Sequence, residues 1–202
     1  MFPLGSVLFP SMVLPLHVFE PRYRAMTRHC LDAEPEFGVV LIERGSEVGG
    51  DDVRTGVGTV ARIVEAAELP DGRWMLATVG TRRIRVVSWL PDDPWPLAMV
   101  EDFEDDPPPG PGAPARWEGV QVLLRRVLGL AAELGEASAP ATLTLADDPS
   151  LGSFQAAAVA TIGPADQMRV LATPGVDERL DVVAALLREQ AELLDARLAL
   201  GG

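Results

Sequence analysis

Residues 2–24 of the chain read FPLGSVLFPSMVLPLHVFEPRYR. Four prolines divide this stretch, and the apolar residues between them are of types that favour β-strands. Because proline lacks a backbone N–H and is confined to sheet edges, bulges and turns, the stretch predicts two short strands. Pro21 then suits the first turn of a helix, because its fixed φ is helical. The apolar residues Tyr23, Met26, Cys30 and Leu31 follow at helical spacing, which predicts a helix docked by one face.

The β pattern continues as far as residue 103. Its predicted strands cover residues 37–42, 57–69, 73–79, 83–90 and 95–103. The sequence Pro70-Asp71-Gly72 predicts a hairpin between the second and third of these, because glycine supplies the positive φ of the turn. Residues 43–54 are rich in glycine and acids and predict a mobile loop. Roughly six or seven strands at close spacing predict a closed or nearly closed barrel.

A change of pattern divides the chain after residue 106. Residues 104–114 read EDDPPPGPGAP, and this mixture of acids and prolines is typical of a semi-rigid linker. We therefore predict a β domain over residues 1–106, a linker over 107–115 and an α domain over 116–202. The predicted helices of the α domain cover residues 117–134, 154–162, 164–173 and 177–200. The predicted fold class is α+β.

The opening stretch also resembles a known family. The pattern F-P-L-x-x-V-L-F-P-x-x-x-L-P-L-x-x-F-E-P-R-Y is similar to the start of the amino-terminal, substrate-binding domain of Lon proteases. The resemblance continues through residues 37–41, 57–63, 70–73 and 80–86 and, more weakly, through the helical half. It implies a PUA-like β pseudobarrel with the early helix packed against it, followed by a small α-helical bundle.

The resemblance stops short of the enzymatic parts of that family. Lon proteases continue into an ATPase module and a protease module, whereas this chain stops at Gly202. All 17 basic residues are arginine, and a Walker A loop and a Ser-Lys protease each need a lysine. We therefore expect a free-standing, non-enzymatic member of the family.

Composition argues against several other classes of function. The formal net charge is −13, and residues 1–106 hold 10 Arg against 18 acids, so neither nucleic acid nor an anionic membrane is an expected partner. No apolar run approaches the roughly 20 residues of a membrane span, and no secretory signal is predicted, so we expect a cytoplasmic protein. His17, His29 and Cys30 are too few ligands for a metal site, and no cofactor is expected. No G-x-S-x-G elbow surrounds Ser6 or Ser153, so no catalytic residue is predicted.

Three candidates for contact with a peptide lie at the predicted strand-to-helix corner: Glu20, Arg22 and Tyr23. In the functional interpretation they line a groove that faces a partner. In the structural interpretation the Glu20 side chain accepts hydrogen bonds from the first amides of the helix, and Arg22 pairs with an acid.

Three tryptophans complete the candidate peptide-binding set: Trp74, Trp89 and Trp95. Large aromatic side chains are most often in the core, but an exposed one would give an apolar platform for unfolded polypeptide. One local basic patch is formed by Arg82, Arg83 and Arg85. Its alternative interpretation is a solvated strand face.

The sequence thus favours a protein- or peptide-binding module that recognises unfolded or extended polypeptide segments, as an adaptor in protein quality control. The expected mechanism is capture of an extended apolar peptide in a groove between barrel and bundle, by edge-strand pairing and side-chain pockets. A protease and a second copy of the chain are further candidate partners. Two alternatives stay open at this point: an RNA-binding PUA-like module, which the charge opposes, and an assembly or oligomerisation protein.

Overall fold

The computed structural model describes residues 1–44 and 53–200 of the 202-residue chain. Its strands are β1 (Phe2–Leu4), β2 (Val13–Val18), β3 (Glu36–Arg44), β4 (Val53–Glu68), β5 (Trp74–Leu90) and β6 (Leu97–Asp102). Its helices are α1 (Pro21–Asp32), α2 (Ala113–Glu133), α3 (Pro149–Val159), α4 (Pro164–Ala172) and α5 (Val176–Ala199). The chain divides into two compact units, Met1–Glu104 with the strands and α1, and a second unit that begins at Asp105 and contains α2 to α5.

The first unit is built on one mixed sheet with the strand order β1-β3-β4-β5-β2. β1 runs parallel to β3, and the other neighbouring strands are antiparallel. The long strand β5 pairs with β4 on one side, while its other side pairs first with β2 and then with β6. Among the described residues no ladder joins β1 to β2, so the sheet is not closed by hydrogen bonds.

The single strand β5 replaces two strands that were predicted separately, at 73–79 and 83–90. Its continuity depends on Gly80, where the register with β4 shifts between Thr59 and Ala61. A Cβ at Gly80 would lie 2.3 Å from the carbonyl oxygen of Phe9, so only glycine lets that backbone approach. The strand therefore changes partners at Gly80 without a turn, and the separate-strand prediction was wrong.

Three further boundaries differ from prediction. The last strand begins at Leu97 and not at Trp95, because Pro94 and Pro96 flank Trp95 and neither can donate to a ladder. β3 extends to Arg44 and β4 begins at Val53, so the ends of the predicted loop 43–54 are strand. Residues 45–52 of that loop lie outside the described residues.

The core of the first unit lies between the inner side of the sheet and α1. Pro21 opens α1 as predicted, and the helix buries Tyr23, Met26 and Cys30. Leu31, predicted on the same face, is exposed, because it follows Cys30 by one position and so lies about 100° further around the helix. These side chains join a cluster that includes Phe2 and Phe37. The prediction of a buried Cys30 is confirmed, and burial raises the pKa of its thiol, which keeps it in the less reactive neutral form.

The second unit is a helical bundle whose longest helices, α2 and α5, carry the predicted apolar faces. From α2 the core receives Trp117, Val120, Leu124, Val127, Leu128 and Ala131; from α5 it receives Leu180, Val183, Leu187, Ala191 and Leu194. α3 begins at Pro149 and not at Phe154, because the Asp148 carboxylate accepts hydrogen bonds from the amides of Ser150 and Leu151. An Asp-Pro pair at a helix start is the signal that the sequence prediction missed.

The predicted linker 107–115 is shorter in the structure, because α2 already begins at Ala113. Hydrogen bonds within the second unit hold Gly110 in the linker and Asp106 just before it. The Asp106 amide donates to the Pro174 carbonyl (3.3 Å), and the Gly110 amide donates to the Asp177 carboxylate (3.0 Å).

A buried charge stands in the middle of the second unit. The Arg179 side chain is fully buried and donates from Nη1 and Nη2 to the two carboxylate oxygens of Asp105, at 2.6 and 3.0 Å. Its Nε donates to Ser153 Oγ (2.8 Å), and its guanidinium lies 4.0 Å from the ring centroid of Phe154. A bidentate pair with these further contacts compensates the desolvation of the charge.

Candidate functional site

The strand-to-helix corner forms where β2 ends and α1 begins. Glu20 has an extended backbone and precedes the helical Pro21. The predicted capping role of Glu20 was wrong: its side chain makes no hydrogen bond to the helix amides. Its carboxylate instead accepts a hydrogen bond from Arg22 Nε at 3.1 Å, which fulfils the predicted pairing of Arg22 with an acid. The Arg22 guanidinium also lies 4.6 Å from the ring centroid of Tyr23.

A pocket of about 190 Å³ opens at this corner. Its walls are mostly apolar and come from Phe2, Leu4, Leu16, Val18, Phe19 and Tyr23, with Pro15, His17 and Glu20 at the same opening. Phe2 and Tyr23 stack with their ring centroids 4.2 Å apart. A cavity of about 150 Å³ admits a benzene molecule, so the pocket has room for one aromatic or aliphatic side chain.

Beside the pocket, β2, β5 and β4 present a second surface to solvent, which we call the outer face. Cross-strand partners point to the same side of a sheet, and the register places Pro15, Ala77 and Glu65 in one row and His17, Met75 and Ala67 in the next. The most exposed apolar side chains on and beside this face are Val13 (68%), Val64 (60%), Phe19 (50%) and Met75 (46%). Clustered apolar exposure of this kind marks a binding surface more often than scattered single residues do.

The outer face ends at a partly blocked edge. Within the described residues β2 pairs with β5 alone. The Gly80 amide donates to the Met12 carbonyl (2.9 Å), and Thr78 Oγ1 donates to the Leu14 carbonyl (2.8 Å). The backbone N–H and C=O groups of the even-numbered residues of β2 therefore point toward β5. Backbone groups alternate in an antiparallel ladder, so those of Val13 and Pro15 point to the free edge. Pro15 has no N–H to offer there, which interrupts pairing with any added strand.

The tryptophans predicted as a platform do not lie together. Trp74 belongs to the core on the inner side of β5, opposite Val18, and is not exposed. Its Nε1 has no hydrogen-bond partner among the described residues. Trp89 lies at the far end of β5 under the guanidinium of Arg54 (4.8 Å), and Trp95 packs beside His29 (5.4 Å) in the last turn of α1. Only Trp89 and Trp95 are partly exposed.

The arginines predicted as a basic patch are matched with acids and an aromatic ring. Arg82 donates to Glu36 (2.9 Å) and to Asp102 (3.0 Å), and the hydrogen bond with Glu36 raises the pKa of the guanidinium further. Arg85 pairs with Glu101 at 3.3 Å. Arg83 is buried against the ring of Phe103, at 4.2 Å. These residues therefore do not form an open cationic surface, and the strand face is neutralised by neighbouring carboxylates.

The site residues that sequence reasoning missed are Val13, Val64, Met75 and Glu65. Alternation from the buried Ile63 places Val64 on the outer face and would place Glu65 inside. Ile63 pairs with Thr78 and Glu65 with Ala77, so a β-bulge between them leaves Val64 as an extra residue and keeps Glu65 outward as well. The apolar residues on both faces of β2 were the available signal, because a strand with apolar residues on both faces has a second surface to cover.

No group of three or more His, Cys, Asp or Glu side chains within residues 1–44 and 53–200 is arranged to hold a metal ion. In the same ranges, every helix is too short or too polar to cross a membrane.

Comparison with known proteins decides the family. The sequence profile of the ATP-dependent protease La (LON) substrate-binding domain matches residues 1–189. The chain belongs to the Lon substrate-binding domain family. It is 28% identical over 197 residues to Lon protease 2 of Herpetosiphon aurantiacus and 30% identical over 201 residues to Lon protease 2 of Myxococcus xanthus. These alignments cover 95% and 94% of this chain but 24% and 23% of those relatives, so the chain spans about a quarter of their length.

Solved structures of the family share the fold. A Lon N-terminal domain protein from Xanthomonas campestris superposes with a TM-score of 0.63 at 27% identity, over 91% of this chain and 95% of that one. The N-terminal domain of the Mycobacterium avium complex Lon protease superposes with a TM-score of 0.65 at 19% identity, over 92% and 96% of the two chains. The second likeness shows the fold alone. The predicted α+β fold and the predicted family are confirmed.

Proposed function

We propose that this chain is a non-enzymatic module that binds unfolded or extended polypeptide and acts as an adaptor in protein quality control. The observation that carries the proposal is the outer face, with exposed Val13, Val64 and Met75 beside the apolar corner pocket. Membership of a substrate-binding domain family supports it. In the adaptor role the module presents the bound segment to a protease or to another partner.

The proposed binding mode combines two features of the first unit. An apolar side chain of the segment enters the corner pocket, and neighbouring side chains cover Val64 and Met75. Burial of one large apolar side chain contributes about 1.5–3 kcal/mol, which corresponds to roughly tenfold or more in affinity. Four of the six predicted contact residues enter this mode: Glu20 and Tyr23 line the pocket, Arg22 holds Glu20, and Trp74 supports the sheet from inside. Trp89 and Trp95 lie outside it.

Fluorescence anisotropy of a labelled, permanently unfolded polypeptide tests the proposal. We expect micromolar binding that survives added salt, because burial of apolar area is not screened by ions. A structured RNA serves as a parallel probe, since RNA binding would fall steeply with salt. Binding of the RNA alone would overturn the proposal in favour of a nucleic-acid module. Binding of neither probe, together with a concentration-dependent shift on a sizing column, would favour an assembly protein.

Three matched variants locate the binding surface. Met75→Gln removes apolar area from the outer face, and we expect it to weaken polypeptide binding about tenfold. Met99→Gln makes the same change on the exposed side of β6, on the part of the sheet that contains Trp89. Val122→Gln makes a similar change on α2 in the second unit. A loss with Met99→Gln and none with Met75→Gln would move the site to the Trp89 end of the sheet.

A further inference from the structure

The outer face, which is mostly apolar, carries one carboxylate in its central row. Glu65 occupies the row with Ala77 and Pro15, next to the bulged residue Val64. Its side chain is exposed, and none of the described residues forms an ion pair with it. A solvated carboxylate that is flanked by exposed apolar side chains gives the face one fixed negative charge.

The other charged side chains around the outer face already form ion pairs with residues of opposite charge. Glu20 pairs with Arg22 at 3.1 Å, and Asp71 pairs with Arg73 at 2.7 Å. Glu68 pairs with Arg28 (2.5 Å) at the end of β4. Arg62, the cation in the next row of the outer face, lies 3.7 Å from Glu36. Glu65 is therefore the acid of this face whose charge is available to a partner.

We propose that the outer face selects extended segments in which a lysine or arginine stands among apolar residues, and that Glu65 is the residue that sets this preference. The inference rests on the proposed function and names the class of segment that the site accepts. The charge of the unit points the same way, because Met1–Glu104 holds 10 Arg against 16 acidic residues. A basic segment is attracted to this unit at long range, and Glu65 gives the attraction a fixed position.

The rows of the sheet set the spacing within the segment. The row of Glu65 and the row of Met75 are two residues apart along β5. Alternate side chains of an extended chain are separated by about 6.6 Å, the same spacing as two residues of a strand. A segment that runs along the strands therefore places its basic residue over Glu65 and an apolar residue two positions away over Met75. The expected pattern is therefore a basic residue and an apolar residue two positions apart, in either order.

The test uses three labelled peptides that differ at one position. Each is short and soluble, with the apolar-x pattern throughout and with Arg, Gln or Glu at the centre. For the native protein we expect the Arg peptide to bind about three- to fivefold more tightly than the Gln peptide, and the Glu peptide to bind more weakly than both. Glu65→Gln is expected to remove the difference between the Arg and Gln peptides. The control for the loss of one negative charge is Glu34→Gln, at an exposed acid outside the outer face. This variant is expected to keep the difference in affinity between the Arg and Gln peptides.

The outcomes separate this inference from the function on which it rests. Equal binding of all three peptides by the native protein would overturn the role of Glu65 while the polypeptide-binding function stands. Loss of the Arg preference in both Glu65→Gln and Glu34→Gln would show that net charge, and not the position of Glu65, sets it. Binding of none of the peptides, nor of the unfolded polypeptide, would overturn the proposed function itself.

Discussion

The two units of the chain place polar and apolar groups in opposite ways. The helical unit carries a charge in its core, where Arg179 is fully buried against Asp105. The sheet unit carries apolar residues on its surface: ten of the thirteen exposed large hydrophobic side chains of the described residues belong to it. A buried bidentate ion pair fixes one arrangement of the chain around it, whereas exposed apolar area remains available for a partner.

This difference assigns separate tasks to the units. In the helical unit the cation of α5 ties together α3 and the chain at Asp105 through Ser153 and the carboxylate. In the sheet unit Arg83 is buried against the Phe103 ring, whereas Arg82 stays at the surface and neutralises Glu36 and Asp102. We therefore expect mutations in the helical unit to change stability most, and mutations on the outer face to change binding most.

The largest expected effect comes from Arg179→Met. Loss of the guanidinium leaves the Asp105 carboxylate and Ser153 without their main partner, and breaking a buried ion pair in this way costs about 3–5 kcal/mol of the free energy of unfolding. Urea unfolding followed by far-ultraviolet circular dichroism measures the change. Arg197→Met is the matched control, because Arg197 makes an equally good bidentate pair with Glu136 but at the exposed surface. Equal effects of the two variants would remove the contrast between the units.

The sequence could not indicate Arg179 as a core residue. Arginine is rarely fully buried, and its partner Asp105 is 74 positions away along the chain, in a stretch whose acids and prolines are typical of a solvated linker. The long helices of this unit could be predicted from the sequence, because an apolar residue recurs every three or four positions along α2 and α5. Local periodicity thus identifies which face of a helix is buried, but it carries no information about a pair that is distant in sequence.

The second expected effect tests whether the helical core is as closely packed as its buried charge suggests. A Cβ added at Gly152 would lie 2.4 Å from Cζ2 of Trp117, whose indole is buried and anchored by a hydrogen bond from Nε1 to the Ala146 carbonyl (3.1 Å). Gly152→Ala is therefore expected to destabilise the protein by about 1–3 kcal/mol. Gly129→Ala, in α2 with open space around the added methyl group, is expected to stabilise by about 0.5–1 kcal/mol. Chemical denaturation of both variants measures the difference, and a neutral Gly152→Ala would show a loosely packed core.

The sheet unit shows the complementary limit of sequence reasoning. The order of strands near the start, the helix at Pro21 and the hairpin at Gly72 all follow from residues whose backbone preferences are strong. The outer face does not follow, because it depends on the bulge at Val64 and on which residues of β4 and β5 lie side by side. Register joins positions that are far apart in sequence, and one shifted residue reverses the side on which every later side chain lies.

The smallest expected effect concerns the free edge of the outer face. Pro15 is in the middle of β2 and is exposed, and its missing N–H falls on the side that pairs with no described strand. We expect Pro15→Val to leave the fold intact but to restore an unbroken row of donors and acceptors next to exposed Val13 and Met75. Sedimentation velocity over a range of concentrations should then show stronger self-association than that of the native protein. Pro108→Val places the same apolar side chain at an exposed position outside every strand and should not associate. If Pro15→Val associates no more than the native protein, the exposed apolar side chains of the outer face are insufficient to hold a second chain. Polypeptide binding would then depend on the corner pocket more than on the sheet.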